Sequence, residues 1–398
     1  MAMDCAAGDD RFGGLAGAVV FSAARNRAAA VSSATRIKVL ALSPIPEEGA
    51  GCRFRVAQYM PHLCSAGIDV TIRPFYTPEF FNIVYTPRNY LRKAVGFVLL
   101  ALRRLRQLSE LGDYDVVWLY REAIPLGPPL VERAIAGRGI PIVLDFDDAI
   151  FMGDVSEANR AIGFLKNPGR VAEVIAKSTT TVVGNEFLAG YARRFSRHVA
   201  VIPTVVDTDR FVPRADHGRV GPGGPVVGWI GSPTTYHYVE EIAGLLRAAA
   251  SRHAFTLIIS GAGKPVQLDG VPARVAPWSL AQEVELFNSC DIGIYPLSDD
   301  DWSRGKCGFK AIQFMACGVP VVASAVGVNL EIIRDGENGF LASTPAEWAE
   351  KLERLLTDPA LRARFAKAGR TTIETRYSLK VTAPLVERIL RDAAASRP

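Results

Sequence analysis

The segment from residue 302 to residue 329 carries the residue types best suited to bind a diphosphate. Arg304, Lys306 and Gly308 stand between the end of an apolar run and the start of a helical pattern. Unpaired backbone N–H groups at a helix N-terminus, together with the helix dipole, favour an anion at such a position. Arg304 and Lys306 would supply charge-assisted hydrogen bonds to the phosphates. The sequence therefore predicts an anion site here, with these two residues as its cations.

The helical pattern that follows places polar residues on one side. Lys306, Lys310 and Gln313 are spaced by four and three residues, so a helix brings them to neighbouring faces. Phe309 and Ile312 are then free to face a core. The polar side is predicted to face a ligand cleft. An ordinary amphipathic helix with solvated lysines explains the same spacing and stays open.

The elements that must position these residues follow from apolar runs along the chain. Runs typical of strands lie at 37–42, 70–72, 116–120, 140–144, 180–183, 199–202, 226–230, 255–260, 274–276, 292–296 and 319–323, with helical patterns between them. Such alternation implies βαβ units and parallel sheets covered by helices. The predicted fold class is α/β, with two Rossmann-like halves whose sheets face each other across a cleft, because ligands bind beyond the carboxyl ends of parallel strands.

The domain boundary is predicted from composition. Pro, Gly and His accumulate between residues 213 and 225, where one alternating half gives way to the next. We assign residues 1–35 to a flexible N-terminal extension, 36–205 to a first domain and 206–398 to a second domain. The last helix of the second domain is expected to pack back on the first.

A family resemblance rests on three stretches. The segment 302–329, "DGENGFLA" at 335–342 and "PTVVDTDRF" at 203–211 together resemble the donor-binding domain of family 4 (group 1) glycosyltransferases of the GT-B fold. The resemblance covers residues 36–395. It implies a hexosyltransferase that moves a sugar from a nucleotide-diphosphate sugar to an acceptor, with retention of configuration and without a metal or other cofactor. The first domain would bind a carbohydrate or lipid-linked acceptor and the second the donor, in polysaccharide or glycolipid synthesis.

The chain departs from that family at two places. Two glutamates that the family carries eight positions apart correspond to Gly305 and Gln313. An amide can still hydrogen-bond a ribose hydroxyl, whereas the sugar contact cannot be transferred to a glycine. The family's Arg and Lys after the first strand of the second domain are also missing. Ser232, Thr234 and backbone N–H groups near Gly231 are the partners available there.

Further donor contacts are implied by the turn after the run 319–323. Asn329 and Glu331 follow this turn, which the resemblance brings close to the donor sugar. Capping of a helix by Asn329 is the alternative. With Gly308, Lys310 and Gln313, these residues complete the predicted donor-binding set.

Candidate residues for the acceptor or for a phosphate lie in the first half. Gly49, Gly51, Arg53 and Arg55 follow the first strand, and Arg121 follows the strand 116–120. Their guanidinium groups could bind phosphate. A plain surface pair explains Arg53 and Arg55 equally well, and an ion pair within its own loop explains Arg121 better.

Three aspartates end another predicted strand. Asp145 and Asp147 have the Asp-x-Asp spacing that binds a divalent metal in GT-A glycosyltransferases, and Asp148 follows directly. A three-residue match is weak, so no metal site is predicted. Asp147 is a catalytic candidate on the acceptor side, and it joins Arg304 and Lys306 of the second half in the predicted catalytic set. The alternative is that Asp147 only stabilises the structure of its loop.

Two other classes of function stay open. A nucleotide-sugar epimerase of the GT-B fold would need acid and base side chains that the sequence does not identify. A catalytically weak nucleotide-sugar-binding partner in a polysaccharide assembly complex is compatible with Gly305 and Gln313 in place of two glutamates.

Composition bounds the location and partners. The net charge of +5 over 398 residues is too small to indicate nucleic-acid binding. No apolar run approaches the ~18 residues that span a bilayer, and the six cysteines contain no Cys-x-x-Cys pair. We predict a cytoplasmic protein with reduced cysteines.

Residues 90–108 suggest a contact with the inner face of the cell membrane. Nine consecutive apolar residues, 94–102, are flanked by Arg92, Lys93, Arg103, Arg104 and Arg106. Such a segment is typical of a peripheral helix on anionic lipid. A buried helix with solvated basic ends is the alternative.

Overall fold

The computed structural model describes residues 36–84, 89–152, 169–215, 221 and 223–397. Within these residues the chain forms two six-stranded sheets in which all paired strands are parallel. The predicted α/β class is confirmed. The predicted extension 1–35 lies outside the described residues, as do residues 216–220 and 222 of the Pro- and Gly-rich junction.

The first sheet has the strand order β2-β1-β3-β4-β5-β6. Its strands are β1 (Ile37–Ser43), β2 (Ile68–Pro74), β3 (Val116–Tyr120), β4 (Ile142–Phe146), β5 (Thr180–Val183) and β6 (Val199–Val201). Its helices are α1 (Ala50–Arg55), α2 (Met60–Ser65), α3 (Pro78–Val84), α4 (Tyr90–Arg106), α5 (Leu130–Ala136), α6 (Gly169–Lys177) and α7 (Glu186–Ala192), with 3₁₀ turns at Ala57–Tyr59, Gln107–Asp113 and Ile150–Met152. Every residue of β3 and β4 is buried, as expected for strands covered on both faces.

The second sheet has the order β12-β11-β10-β7-β8-β9. Its strands are β7 (Val226–Ile230), β8 (Thr256–Ser260), β9 (Ala273–Val275), β10 (Ile292–Tyr295), β11 (Val321–Ser324) and β12 (Phe340–Ala342). The helices are α8 (His237–Glu241), α9 (Ala243–Ala250), α10 (Glu283–Asn288), α11 (Asp301–Arg304), α12 (Phe309–Ala316), α13 (Asn329–Ile332), α14 (Pro345–Thr357), α15 (Pro359–Arg376) and α16 (Leu379–Ala395).

The last helix returns to the first half of the chain. Thr382 of α16 shares a hydrogen bond of 3.0 Å with Tyr59, and Glu387 lies 3.0 Å from the imidazole of His62. Where the chain passes back, the amide of Leu379 donates to the carbonyl of Val206 at 2.8 Å. Both halves are therefore linked by two crossings of the backbone.

Aromatic rings fill part of the contact between the halves. The ring centroids of Phe54 and Phe309 are 4.5 Å apart in an edge-to-face arrangement, and Phe54 also contacts Phe211 at 6.2 Å. Phe287 continues the contacts to Phe211 and to Phe314 of α12. Edge-to-face pairs of this kind add to the free energy gained by burial. Part of the region between the two sheets is therefore filled by packed aromatic side chains.

Cysteine chemistry differs from the prediction at one residue. Cys52, Cys290, Cys307 and Cys317 are buried free thiols. Cys64 is disulfide-bonded, so the prediction of reduced cysteines is wrong for this residue.

Candidate active site

The predicted donor residues lie beyond three neighbouring strands of the second sheet. β10 pairs with β7 on one side and with β11 on the other, so the loops that follow these strands share one edge. The loop after β10 carries Arg304 to Gly308, the loop after β7 carries Gly231 to Thr234, and the turn after β11 leads to Asn329. The edge of the sheet therefore brings the three predicted segments together, as parallel topology requires.

The N-terminus of α12 has unpaired backbone donors. Gly308 precedes the helix in a left-handed conformation, with φ of 63°, and no side chain caps the helix. Added bulk at Gly308 would collide with Ile332 at 2.4 Å, so both backbone and space require glycine. Within the described residues, no acceptor bonds the N–H groups of Cys307 or Gly308. These donors, with the first turn of the helix, are available to an anion.

The amides just before them are already used. The N–H groups of Arg304, Gly305 and Lys306 donate to carbonyls of α11 and its flank at 2.9 to 3.1 Å. The part of the loop with unpaired amides is therefore shorter than the sequence alone suggests, and it begins at Cys307.

The two predicted cations of this loop differ in their partners. The guanidinium of Arg304 is 47% exposed and contacts Asp299 at 2.9 Å and Asp301 at 3.4 Å. The ammonium of Lys306 lies 5.1 Å from the ring centroid of Trp302, and no carboxylate pairs with it among the described residues. Lys306 is therefore the cation of this loop whose charge is not already neutralised.

The loop after β7 offers hydroxyl groups rather than charge. Ser232 and Thr234 share a hydrogen bond of 2.9 Å between their hydroxyls, and Thr234 is exposed. The amide of Gly231 donates to Ser260, and that of Ser232 donates to Thr235. The predicted backbone donors near Gly231 are thus already paired, whereas the hydroxyls face outward.

The turn after β11 places its two candidates differently. Asn329 is buried and donates from its side chain to the carbonyl of Ser324 at 3.0 Å, while its side-chain oxygen has no partner. It is the first residue of α13 and not its cap, because Val328 occupies that position. Glu331 is exposed on the same helix.

A polar cluster joins the two halves around Glu283. This buried carboxylate contacts Arg53 of the first half at 3.1 Å, Arg210 at 3.2 Å and the amide of Gln313 at 3.3 Å. Lys310 donates to the side-chain oxygen of Gln313 at 2.8 Å. We name these five residues the interdomain cluster. It brings predicted residues from both halves to one place.

The interdomain cluster holds more positive than negative charge. Burial lowers the pKa of Lys310 to about 8, against the attraction of Glu283, and the nearby Arg53 lowers it further. Burial also lowers the pKa of Arg53, again against Glu283. Three cations facing one carboxylate favour an additional anion close by.

On the acceptor side, Asp147 is held by three groups of the first half. It accepts hydrogen bonds from the hydroxyl of Tyr120 at 2.9 Å, from Arg121 at 3.0 Å and from Thr204 at 3.4 Å. Arg121 has φ of 60° and also pairs with Asp148. Burial acts to raise the pKa of Asp147, but Arg121 and Arg55 hold it below its usual range. Asp147 is therefore ionised at neutral pH.

Arg55 lies deeper than a phosphate ligand would require. Its guanidinium is buried, contacts Asp145 at 2.8 Å and donates to the carbonyl of Ile202 at 2.7 Å. Burial raises the pKa of Asp145 to about 6 despite this pair. The predicted phosphate contact of Arg55 stays a prediction, and this environment favours a structural role.

The two predicted glycines lie at the start of α1. Gly49 precedes the helix, and a side chain at Gly51 would collide with the hydroxyl of Tyr120 at 2.1 Å. Gly51 therefore lets α1 approach the end of β3 closely. The three aspartates form no metal centre: across the described residues, no group of three or more His, Cys, Asp or Glu side chains could hold an ion.

Two contributions to this site were not visible from local sequence patterns. Glu283 lies in an ordinary amphipathic helix, and its partners are separated from it by 30 to 230 positions. Asn185 is the N-cap of α7, which is a local feature that the sequence can indicate. Its side chain also donates to the carbonyl of Lys306 in the loop after β10, and this contact is not local.

Comparison with known proteins identifies the chemistry. The family model "Glycosyl transferases group 1" matches residues 224–358, which contain every predicted donor-binding residue. A D-inositol 3-phosphate glycosyltransferase of Acidothermus cellulolyticus is 27% identical over 94% of this chain and 95% of its own length. The chain is a glycosyltransferase, and its residues 224–358 are similar to the group 1 family. The resemblance inferred from the sequence is confirmed, and with it a hexosyltransferase-type enzyme that uses a nucleotide sugar.

Another relative and two solved structures are also similar to this glycosyltransferase. A D-inositol 3-phosphate glycosyltransferase of Stackebrandtia nassauensis is 29% identical over 54% of this chain and 53% of its own. Sucrose-phosphate synthase from Thermosynechococcus elongatus has a TM-score of 0.65 at 17% identity, covering 90% of this chain and 100% of the other. Anabaena Alr3699/HepE in complex with UDP-glucose has a TM-score of 0.62 at 15% identity, covering 90% and 100%. The structural matches establish the GT-B fold of the glycosyltransferase.

Proposed function

We propose that this glycosyltransferase transfers a hexose from a nucleoside-diphosphate sugar with retention of anomeric configuration and without a metal ion. The acceptor is a carbohydrate or lipid-linked carbohydrate of a polysaccharide or glycolipid pathway. Because Alr3699/HepE is described in complex with UDP-glucose, a uridine nucleotide is the first donor to test.

The observation that carries this proposal is the environment of Lys306. Lys306 pairs with no carboxylate among the described residues, and it directly precedes Cys307 and Gly308, whose amides are free at the uncapped N-terminus of α12. A diphosphate would receive a full positive charge, several N–H donors and the helix dipole at one place. These groups can stabilise part of the charge on the leaving diphosphate.

The chemical step follows from this arrangement. The bond between the anomeric carbon and the diphosphate oxygen breaks, the acceptor oxygen bonds to the same carbon, and the acceptor proton passes to the departing phosphate oxygen. Negative charge grows on the diphosphate as this bond breaks, so Lys306 and the amides of α12 bind the transition state more tightly than the donor. Arg304 can add a second cation by exchanging its carboxylate partners for phosphate.

The remaining roles are assigned by position. In the donor domain, residues 206–398, we assign the nucleotide and sugar contacts to the hydroxyls after β7, to the turn after β11 and to the interdomain cluster. The acceptor domain, residues 36–205, offers Asp147, whose side chain is 14% exposed, and the neighbouring Arg121. An ionised Asp147 orients an acceptor hydroxyl through its remaining lone pairs.

The stereochemical test uses purified protein with UDP-glucose and a panel of carbohydrate acceptors. Proton NMR of the first product is expected to show the α-anomer, and 5 mM EDTA is expected to leave the rate within about twofold of the untreated enzyme. A β-linked product would overturn retention. Loss of activity with EDTA, restored by one divalent cation, would overturn the metal-independent step. Donor binding without transfer to any acceptor would favour the binding-partner alternative.

We further propose that α4 docks on an anionic membrane. Its inner side is fixed to the sheet by the buried Arg104, which donates to the carbonyls of Arg73 at 2.8 Å and Ala123 at 3.1 Å. Its outer face is apolar and exposed, and consists of Leu91, Val95, Val98, Leu99, Leu102 and Leu105. Arg92 and Arg106 are exposed beside it, and α4 contains no acidic residue. No helix of the described residues is long and apolar enough to cross a bilayer.

Substitution of the outer face of α4 tests this contact. Val98 is 56% exposed, so Val98→Glu should leave the melting temperature unchanged. Binding to vesicles that contain phosphatidylserine is expected to fall by at least ~10-fold, because the variant adds repulsion and removes apolar burial. Val381→Glu, at an exposed apolar position of α16, is the control. Equal vesicle binding by both variants and the wild type would remove α4 from the membrane contact.

A further inference from the structure

Asn185 links the two halves at the loop that begins the donor site. It follows β5 in the first half, and its side-chain oxygen caps α7 by accepting from the amide of Leu188 at 2.9 Å. Its side-chain nitrogen points the other way, toward the carbonyls of Lys306 at 3.0 Å, Gly305 at 3.3 Å and Arg304 at 3.4 Å. Asn185 is almost fully buried. The side-chain amide of Asn185 thus hydrogen-bonds the start of α7 in one domain and the end of α11 in the other.

Two of these carbonyls, of Arg304 and Gly305, belong to the end of α11, and the third, of Lys306, belongs to the loop that follows it. The last carbonyls of a helix have no partner within it and need an outside donor. The donor comes here from the other domain, so this hydrogen bond to the end of α11 exists only while the domains are in contact. The amides of Cys307 and Gly308 follow directly, so the orientation of this stretch fixes where they point.

A second set of contacts holds the same loop against the first half. The thiol of Cys307 donates to the carbonyl of Asp147 at 3.0 Å, and burial raises the pKa of that thiol, which keeps it protonated. A Cβ atom at Gly184 would lie 2.1 Å from the Cys307 sulfur, and one at Gly305 would lie 2.7 Å from Cβ of Ala149. Glycines at both positions therefore allow the loop to sit directly on the first domain.

We propose that Asn185 is a positioning residue for sugar transfer, which orders the loop 304–308 only when the two domains are in contact. The proposal rests on the proposed function, since it takes this loop as the diphosphate site. Asn185 does not touch the donor. It makes the geometry of Lys306 and of the α12 amides conditional on the domain contact, so that the leaving group is stabilised when the acceptor domain is in place.

The test compares two substitutions that both keep the helix cap. Asp and Ser cap a helix about as well as Asn, so α7 should be retained in Asn185→Asp and Asn185→Ser. The hydroxyl of Ser is too short to reach the carbonyls, and an ionised Asp faces them with repulsion. With UDP-glucose and an acceptor, kcat is expected to fall by ~10-fold in Asn185→Ser and by ~100-fold in Asn185→Asp. The KM for the donor should change by less than about threefold, because the first encounter with donor does not require the domain contact.

A pH profile separates positioning from general damage. A protonated carboxyl at position 185 can again donate to a carbonyl, and its pKa is raised by burial and by the oxygens around it. The ratio of kcat in Asn185→Asp to kcat in the wild type should therefore rise as the pH is lowered from about 8 to about 5.5. The same ratio for Asn185→Ser should stay constant.

Asn338→Asp is the matched control. Asn338 is also buried, accepts from the amide of Arg334 at 2.8 Å and donates to the carbonyl of Ile332 at 3.1 Å, but both partners lie within the second half. Its substitution should lower the melting temperature to a similar degree without a pH-dependent recovery of kcat. The stoichiometry of UDP binding in each variant corrects for any misfolded fraction.

A complementary pair of variants tests the second contact. Gly184→Ala should lower kcat, because its methyl group meets the Cys307 sulfur, and Gly184→Ala with Cys307→Ala should recover most of that loss. The role of Asn185 would be overturned if the wild type transfers sugar and Asn185→Asp has the same kcat, with a ratio of the two kcat values that does not change with pH. Absence of nucleotide binding and transfer in the wild type itself would instead overturn the proposed function.

Discussion

Replacement of Lys306 by alanine is expected to lower kcat/KM for the nucleotide sugar by at least ~100-fold, through both weaker donor binding and a lower kcat. Lys306 is the cation of its loop without a carboxylate partner among the described residues, and it adjoins the free amides of Cys307 and Gly308. Its ammonium is expected to act on charge that develops on the diphosphate as the glycosidic bond to it breaks. Steady-state kinetics with donor varied at saturating acceptor measure this effect.

Two further variants sharpen the prediction for Lys306. Lys306→Arg keeps the charge and should retain most donor affinity with an intermediate kcat, since the guanidinium delivers its donors in a different geometry. Lys177→Ala, an exposed lysine of α6, should behave as the wild type. Turnover by Lys306→Ala within threefold of the wild type would exclude the lysine from the chemical step.

Arg55→Met is expected to lower the free energy of unfolding by ~3–5 kcal/mol. The substitution removes the cation of a fully buried pair and leaves the Asp145 carboxylate without it. A buried charge that has lost its partner is among the most costly defects in a protein core. Denaturant unfolding at pH 7.5 measures the loss, and Arg55→Met with Asp145→Leu should recover much of it.

The pH dependence of this variant has a defined sign. Burial raises the pKa of Asp145 above its unfolded value, so the folded state binds the proton more tightly and gains stability as the pH falls. The loss caused by Arg55→Met should therefore be smaller at pH 5 than at pH 8. Normal stability of Arg55→Met with a tenfold rise in the KM of either substrate would instead support the phosphate contact predicted from sequence.

Much of the fold was predictable because its signals are local. The strands at 116–120, 180–183 and 226–230 coincide with β3, β5 and β7, since buried parallel strands are short, continuous apolar runs. β12 follows a turn and has only three residues, so it was too short to recognise from the sequence. The helix that was expected to carry Lys306, Lys310 and Gln313 begins only at Phe309, because the separate short helix α11 and the left-handed Gly308 intervene.

The candidate site was predictable only in part. The prediction of an anion site came from Lys306, Gly308 and the helix start, which are close in sequence, and it stays a prediction. The partners that occupy Arg55 and Arg53 could not be foreseen, because these ion pairs depend on tertiary contacts across as many as 230 positions. Asn185 was missed for the same reason: its cap is a local property, and its contact with α11 is not.

The most direct test of the donor site is a thermal and calorimetric titration of the wild type and Lys306→Ala with UDP, GDP, ADP and their glucose conjugates. A ligand at 100 times its Kd should stabilise the wild type by about 2.7 kcal/mol. We expect one nucleotide family to do so, and the effect to be greatly reduced in Lys306→Ala. If no nucleotide stabilises the wild type, or if Lys306→Ala binds as tightly, the assignment of the diphosphate to this loop is wrong.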